Sequence, residues 1–394
     1  MLNAFQSVIM LMVITRVTDL PTAGVFTLAY ANANLFLNMG SFGMRTFEAS
    51  DSMPKYGFRA YVLSRVVTGL AMVACSWAWL AWSAYANAYS MDKTLVVALM
   101  TLMKGMDTVE DVFDGNFQQS GRLDVAGRQL TFRVSSTIVV FCVALAVGGS
   151  LTIATLAGFL WTTCFLAVSL RVVSRRESLP AWHREASEQS PWPLLRDCVP
   201  LFLAAFLLFY VGNAPKYAID ALMDDATQAI YGFIAMPVFV VSLLSQFVYM
   251  PLVQPISQAW AEGDVASMRR AFIRQVGIIV GIALGCVLGA AILGPPVLSA
   301  LYANDLAPWR LELCLLVGGG GLLALASLFT MGMTIIREQE RLIPGYVAVA
   351  LTALAASGGL VVNLGVLGAS LCYVVCMGVL ATWFGVLFFR RIRG

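Results

Sequence analysis

Residues 134–170 form a stretch of 37 residues without a single charged side chain. One helix needs only about 20 apolar residues to cross the hydrocarbon layer of a bilayer, so this stretch is too long for one span. Gly148, Gly149 and Ser150 lie near its middle, where consecutive small residues favour a tight turn. The stretch therefore predicts two membrane-spanning helices joined by a short connection.

The composition extends this interpretation to the whole chain. Of its 394 residues, 59% are hydrophobic and 12% are charged, and the mean hydropathy is +0.81. Soluble proteins carry about 25% charged residues, so the apolar excess must face lipid. This excludes an ordinary soluble enzyme, a disordered chain and a disulfide-stapled secreted domain. The eight cysteines form no CxxC motif and lie in or beside apolar runs, so we expect neither a metal site nor a cofactor.

The hydropathy pattern predicts twelve spans. They cover residues 2–17, 23–44, 60–84, 94–113, 132–148, 151–173, 197–218, 229–253, 273–293, 309–335, 343–362 and 367–389. Pooling the loops on alternate sides gives 21 Lys and Arg residues on one side and 4 on the other. Because basic loops stay in the cytoplasm, both termini are predicted to be cytoplasmic.

The segment 174–196 is rich in charge and proline, which is typical of a linker. It divides the chain into an N-terminal bundle (1–173), the linker (174–196) and a C-terminal bundle (197–394). The halves echo each other, because the motif at residues 59–62 (basic, Ala, aromatic, β-branched) recurs at 270–273, 211 residues later. We therefore expect an all-α, polytopic membrane protein of about 12 transmembrane helices, in two six-helix bundles related by pseudo-two-fold symmetry.

The second predicted span carries a polar stripe. Thr27, Asn34, Asn38, Ser41 and Arg45 follow one another at helical spacing, along about 27 Å of one face. Asn and Ser form hydrogen bonds between membrane helices, which is the simpler explanation. Five polar residues in line favour the wall of a wet cavity instead.

Charged residues also enter the fourth predicted span. Lys104, Asp107, Asp111 and Asp114 share one face, with Glu110 beside it. Ionisable groups at membrane depth usually mark a pathway or a pair. The sequence nevertheless favours a helix that emerges into the cytoplasm with a solvated face, in which Lys104 and Asp107 neutralise each other. Asp107 is the first candidate for binding a coupling ion.

A third polar group lies in the seventh predicted span. Asn213, Lys216 and Asp220 share one face around Pro215, a residue that bends helices. Two interpretations stay open: a polar contact at a hinge, or a Lys216–Asp220 pair at the membrane surface with Lys216 snorkelling. Asp220 is the second candidate for an ion site.

Two groups of glycines have different expected roles. Gly277, Gly281, Gly285 and Gly289 recur every fourth residue and predict a ridge that packs against a neighbouring helix. The four consecutive glycines at 318–321 weaken a helix, which favours either a pivot or a close contact.

Five segments of the sequence form a recognisable set. They are Gly40-Ser41-Phe42-Gly43-Met44-Arg45, Glu48-Ala49-Ser50-Asp51, Gln118-Gln119-Ser120-Gly121-Arg122-Leu123-Asp124, Asn213-Ala214-Pro215-Lys216-Tyr217-Ala218-Ile219-Asp220 and Tyr231-Gly232-Phe233-Ile234-Ala235-Met236-Pro237. Together they resemble bacterial polysaccharide-biosynthesis flippases of the multidrug/oligosaccharidyl-lipid/polysaccharide exporter superfamily.

This resemblance implies a monomeric, multi-pass protein of the bacterial cytoplasmic (inner) membrane that is not an enzyme. It implies translocation by alternating access of an oligosaccharide repeat unit (O-antigen, capsule or exopolysaccharide) linked to undecaprenyl pyrophosphate. The implied partners are this lipid-linked substrate, membrane lipids and the polysaccharide polymerase machinery, and not nucleic acid. The implied contacts for pyrophosphate or sugar are Asn34, Asn38, Ser41, Arg45, Asn213 and Lys216.

Two other functions are considered beside this one. A multidrug cation exporter of the same architecture would favour an acidic cavity, which fits the charged face of the fourth span and not Arg45. A membrane polysaccharide polymerase or ligase has about as many spans, but such enzymes generally carry a large outward loop that this chain lacks. No Walker A motif is present, which argues against an ATP-driven pump.

Overall fold

The computed structural model describes residues 2–50, 55–176 and 190–392, and the regular elements in these ranges are helices. The first seven are α1 (Leu2–Val17), α2 (Leu20–Ser41), α3 (Met44–Ser50), α4 (Phe58–Ala86), α5 (Met91–Gln119), α6 (Leu123–Gly148) and α7 (Leu151–Arg176). The next seven are α8 (Pro191–Leu222), α9 (Asp225–Ala235), α10 (Val238–Tyr249), α11 (Val253–Ala261), α12 (Val265–Tyr302), α13 (Arg310–Ile335) and α14 (Ile343–Arg391).

The prediction of an all-helical fold with about twelve spans is confirmed. Eight segments of the described chain are long and apolar enough to cross a membrane. One of them contains α14. The backbone of α14 leaves helical geometry at Gly365 (φ 58°, ψ −132°), so this element consists of two helical parts and covers two predicted spans. The other three predicted spans correspond to α1, which is short, and to α2 and α5, which carry the polar residues discussed below.

The chain divides into two compact units, residues 1–209 and 210–394. The division falls within α8, whose first turns pack in the first unit. There Asp197 accepts hydrogen bonds from Tyr56 Oη (2.6 Å) and Lys55 Nζ (2.7 Å), and the ring of Phe202 stacks on that of Phe42 with their centroids 4.4 Å apart. Residues 177–189 of the predicted linker lie outside the described residues.

A sharp corner separates α2 from α3. Helix α2 ends at Ser41, because Phe42 and Gly43 adopt left-handed backbone conformations (φ 49° and 69°). The Cβ of Leu201 on α8 lies 2.7 Å from the position that a Cβ on Gly43 would occupy. The prediction of one continuous polar stripe is therefore wrong at its end, since Arg45 belongs to α3 and not to the helix that carries Asn34 and Asn38.

Close helix contacts are made by the second group of glycines and not by the first. A Cβ added at Gly277, Gly281, Gly285 or Gly289 of α12 would meet no atom of the described chain within 4 Å, so the predicted packing ridge is wrong. The close contacts lie in α13 instead, where Cβ atoms at positions 319, 320 and 321 would come within 2.7 Å of Tyr373, 3.1 Å of Val238 and 2.5 Å of Ala283. Helix α13 continues through these glycines, and they act as contacts and not as a pivot.

The repeated motif has the same local environment in each unit. Arg59 and Arg270 are exposed near the starts of α4 and α12, and the aromatic residues that follow, Tyr61 and Phe272, are buried. The shared pattern of basic residue outward and aromatic residue inward explains why the motif is detectable in both halves.

Candidate functional site

The first unit contains a network of charged side chains on neighbouring helices, called here the ion-pair network. Its members are Arg45 and Glu48 on α3, Arg65 on α4, Lys104, Asp107, Glu110, Asp111 and Asp114 on α5, and Arg133 on α6. Charged groups taken out of water are costly unless they are paired and hydrogen-bonded. The network therefore has to be held together by mutual pairing of its nine ionisable side chains.

One half of the network is closely paired. Arg133 donates from Nε to Glu110 Oε2 at 2.6 Å, and its Nη1 lies 2.7 Å from Asp107 Oδ1. Lys104 Nζ lies 3.2 Å from the other oxygen of Asp107 and donates to Gln6 Oε1 of α1 at 3.0 Å. Asp107 is thus neutralised by two cations at short distance. The predicted Lys104–Asp107 pair is confirmed.

The other half of the network is centred on Asp111, which bridges two arginines. Arg65 donates to one Asp111 oxygen, and Arg45 Nη1 lies 3.4 Å from the other. Arg65 also donates to the backbone carbonyls of Gly40 (3.0 Å) and Ser41, the last residues of α2. The cation thereby satisfies carbonyls at the negative end of the α2 dipole, which is a favourable position for an arginine.

Arg45 is the most accessible member of the network. Its side chain is 35% exposed, whereas that of Arg65 is 5% exposed. Arg45 Nε donates to Gln118 Oε1 at 3.1 Å, and Nη1 lies 3.4 Å from Asp111 and 3.4 Å from Asp114. The Nη2 group has no hydrogen-bond partner within the described ranges, so its two N–H groups remain open.

Glu48 lies next to Arg45 on α3 and is buried against α5. Its carboxylate occupies the space that a side chain at Gly115 would fill. Burial raises the pKa of Glu48 to about 8, against the opposing effects of Arg65 and Arg45. A buried carboxyl group with this pKa carries a proton through most of the neutral range.

The expectation of a solvated face on α5 is wrong. Lys104, Glu110 and Asp114 are buried by protein, because α2, α4, α6 and α7 pack around α5. The sequence pattern had also placed Arg65 and Arg133 among the 21 basic residues of the cytoplasmic side. A signal for their true position was available, since four acids on one helix at membrane depth need cationic partners on neighbouring helices.

The amides of the α2 stripe do not join helices together. Asn34 Nδ2 donates to Tyr30 O at 2.7 Å, and Asn38 Nδ2 donates to Asn34 O at 2.9 Å, both within α2. Asn34, Asn38 and Ser41 are half-buried. Within the described chain neither amide makes an interhelical bond, which favours a polar wall over the simpler explanation.

Asn32, which the sequence pattern did not single out, does make a hydrogen bond between helices. Asn32 is buried, and its Nδ2 donates to Ser76 Oγ of α4 at 3.4 Å. Ser76 in turn lies 2.9 Å from Thr101 Oγ1 of α5. This chain of three residues links the interior helices α2, α4 and α5 beside the ion-pair network.

The remaining predicted site residues lie on α8 in the second unit. Asn213, Lys216 and Asp220 are half-buried. Lys216 forms no ion pair within the part of this unit that the structure describes, so the Lys216–Asp220 pair is not formed. A half-buried lysine without a carboxylate partner can bind an anion at low cost, since no existing pair has to be broken.

Three solved structures illustrate what the chain resembles. An inward-facing multidrug resistance MATE family transporter of the MOP superfamily has 14% sequence identity and a TM-score of 0.73, with 100% of this chain and 95% of that chain covered. A Vibrio cholerae MATE transporter in the bent form has 10% identity and a TM-score of 0.63, with coverages of 100% and 93%. A MOP superfamily transporter from Pyrococcus furiosus, described as having a binding pocket of reverse polarity, has 13% identity and a TM-score of 0.62, with coverages of 100% and 92%.

No protein-family model matches the sequence, and neither does any curated protein. Identities of this size establish the architecture and leave the substrate open. The chain has the fold of the MOP superfamily transporters.

Proposed function

We propose that the protein is a flippase that moves an oligosaccharide linked to undecaprenyl pyrophosphate across the bacterial cytoplasmic membrane by alternating access. The fold supports a membrane transporter, which needs no catalytic residue. The segments that resemble polysaccharide flippases support the choice of substrate. Its substrate would be a repeat unit of O-antigen, capsule or exopolysaccharide.

The observation that carries this proposal is that Arg45 is held in place by its neighbours and is still accessible. The guanidinium is held by Gln118, Asp111 and Asp114, yet its side chain is 35% exposed and its Nη2 group has no partner in the described ranges. A diphosphate in a low-dielectric region needs a cation, and the two N–H groups of Nη2 can donate charge-assisted hydrogen bonds to phosphate oxygens. Arg45 therefore has both the preorganisation and the access that a pyrophosphate contact requires.

The other proposed contacts have matching chemistry. The half-buried groups of Asn34, Asn38 and Ser41 offer amide oxygens and a hydroxyl to sugar hydroxyls. In the second unit, Asn213 and Lys216 are proposed as further contacts to the sugar and the pyrophosphate.

Coupling to an ion gradient is proposed at Asp107 or Asp220. The contacts make Asp107 the weaker candidate, because Lys104 and Arg133 already neutralise it. An ion at Asp107 would first have to displace one of these cations, which are both buried.

The test uses a bacterial strain that lacks this gene and carries a labelled lipid-linked precursor. Accessibility of the precursor to a membrane-impermeant reagent is measured after complementation with wild-type, Arg45→Gln or Arg59→Gln protein at equal level. Arg59 is an exposed arginine outside the network and is the matched control. We expect export with wild type and Arg59→Gln, and precursor retained inside with Arg45→Gln. Normal precursor exposure in the deletion strain would overturn the proposal.

A multidrug cation exporter is the second candidate. The MATE transporters among the similar structures favour it, and so does the presence of five acidic residues in the network. Increased drug susceptibility and loss of dye efflux in the deletion strain, with normal glycan precursor exposure, would select this function.

A further inference from the structure

We infer that binding of an anionic group at Arg45 is linked to uptake of one proton by the network, and that Asp114 is the carboxylate that receives it. The inference rests on the proposed function in one respect, which is the use of Arg45 as the contact for a diphosphate. It adds that the affinity for the anion depends on pH, which a simple phosphate contact would not cause.

The charge balance of the network is the first step. Its cations are Arg45, Arg65, Lys104 and Arg133, and its carboxylates are Glu48, Asp107, Glu110, Asp111 and Asp114. The other polar groups near the network are Gln6, Tyr30 and Gln118, with Cys198 of α8 beside Arg65. With Glu48 protonated, four cations face four carboxylates. Every further negative charge in this buried region is then uncompensated.

Arg45 is the cation that an incoming anion reaches most readily. Its two carboxylate contacts are 3.4 Å long, whereas Arg133 holds Glu110 at 2.6 Å and Asp107 at 2.7 Å. It is also the one with substantial exposure, since the side chains of Arg65, Lys104 and Arg133 are at most 5% exposed. An anion that takes Arg45 must share it with Asp111 and Asp114, or replace them.

Asp111 and Asp114 differ in the ion-pair partners that they keep when an anion takes Arg45. Asp111 keeps its bond to Arg65. Asp114 has Arg45 as its single ion-pair partner in the described ranges, its side chain is 4% exposed, and its Oδ1 lacks a hydrogen-bond partner there. A buried carboxylate that loses its cation becomes neutral by taking a proton, because the charged form is poorly solvated. Asp114 is therefore the site of uptake.

This linkage has a defined sign. If one proton enters with each anion, the association constant falls as pH rises, by up to tenfold per pH unit above the pKa of Asp114 in the free protein. The opposite dependence, an association constant that rises with pH, would arise if binding required a deprotonated network.

Isothermal titration calorimetry on the full-length protein in detergent tests the linkage directly. The probe is UDP-glucose, whose two phosphates are both esterified and hold no proton near neutral pH. At one pH, the binding enthalpy is measured in two buffers of different ionisation enthalpy, and the difference gives the number of protons taken up. We expect between about a half and one proton per bound probe.

Three variants complete the experiment. We expect Arg45→Gln to lose at least tenfold in affinity, Asp114→Asn to bind the probe without proton uptake, and Asp92→Asn, an exposed carboxylate on the same helix, to behave as wild type. Equal enthalpies in both buffers for the wild type would overturn the linkage even if no variant folds. Probe binding that is unchanged in Arg45→Gln, or no probe binding at all, would instead overturn the anion contact of the proposed function.

Discussion

Arg133 and Glu110 form an ion pair of 2.6 Å between α6 and α5, and neither side chain is more than 4% exposed. Removing one partner of a buried pair leaves an uncompensated charge and costs about 3–5 kcal/mol. We therefore expect Arg133→Met to lower the free energy of unfolding of the detergent-solubilised protein by about 3–5 kcal/mol, which also lowers its melting temperature. Size-exclusion chromatography after heating, detected by tryptophan fluorescence, measures the effect.

The double variant Arg133→Met/Glu110→Met is the control for this prediction. It removes both charges and leaves Asp107 with Lys104 as its partner at 3.2 Å. Part of the lost stability should return, because the uncompensated carboxylate of Glu110 is gone. A single variant as stable as the wild type would contradict the role assigned to the pair.

Glu48 should make stability depend on pH. Its pKa is about 8 in the folded protein and near its ordinary value of 4.5 when unfolded. Between these values the unfolded chain releases a proton that the folded protein retains, so stability falls as pH rises from about 4.5 to 8. Glu48→Gln should flatten this dependence, whereas the exposed Glu340→Gln should leave it as in the wild type. Stability that increases across this window, with the increase lost in Glu48→Gln, would refute the assignment.

A side chain at Gly115 would enter the space that the Glu48 carboxyl group occupies. We expect Gly115→Ala to move this carboxyl group, the far end of a flexible side chain, out of its buried position and to destabilise the protein by about 1 kcal/mol. Gly105→Ala on the same helix is the matched control, since a Cβ there meets nothing within 4 Å. The control should be neutral or gain up to about 1 kcal/mol from better helix propensity. Equal melting temperatures for the two variants would contradict this packing.

Lys216 should be dispensable for folding. It forms no ion pair within the described part of its unit, so Lys216→Gln leaves no buried carboxylate uncompensated. Protein level and melting temperature should therefore stay close to the wild type, while precursor export falls at least tenfold if Lys216 contacts the pyrophosphate. A marked loss of folded protein would show instead that the lysine has a structural role.

The helices were predictable because membrane spans depend on summed hydropathy over about 20 residues. The break at Gly365 lies between two spans that length alone had already separated. The corner at Phe42 and Gly43 escaped prediction, since helical spacing continues through it to Arg45 in the sequence. Left-handed conformations at two adjacent residues depend on the packing of α8 residues around the corner, which a one-dimensional pattern does not contain.

The site was predictable in its residue types and only partly in its partners. Asn34, Asn38 and Arg45 stood out because polar side chains at membrane depth are rare. Arg65 and Arg133 did not, because a basic residue near the end of an apolar run also fits a cytoplasmic loop. Their assignment depends on which helices pack against α5, and the sequence of a single chain does not specify that.

Three consecutive glycines of α13 each touch a different helix: Tyr373 meets position 319, Val238 position 320 and Ala283 position 321. At positions 319 and 321 the nearest atoms belong to the side chains of Tyr373 and Ala283, so a larger residue there has to be matched by a smaller side chain on the partner. Among relatives of this protein, the pairs 319/373 and 321/283 should therefore vary together. At position 320 the carbonyl oxygen of Val238 lies as close as its side chain, both at 3.1 Å, so this glycine should stay unchanged. At these three points the second unit can evolve only by paired changes or by none, even where the surrounding apolar residues exchange freely.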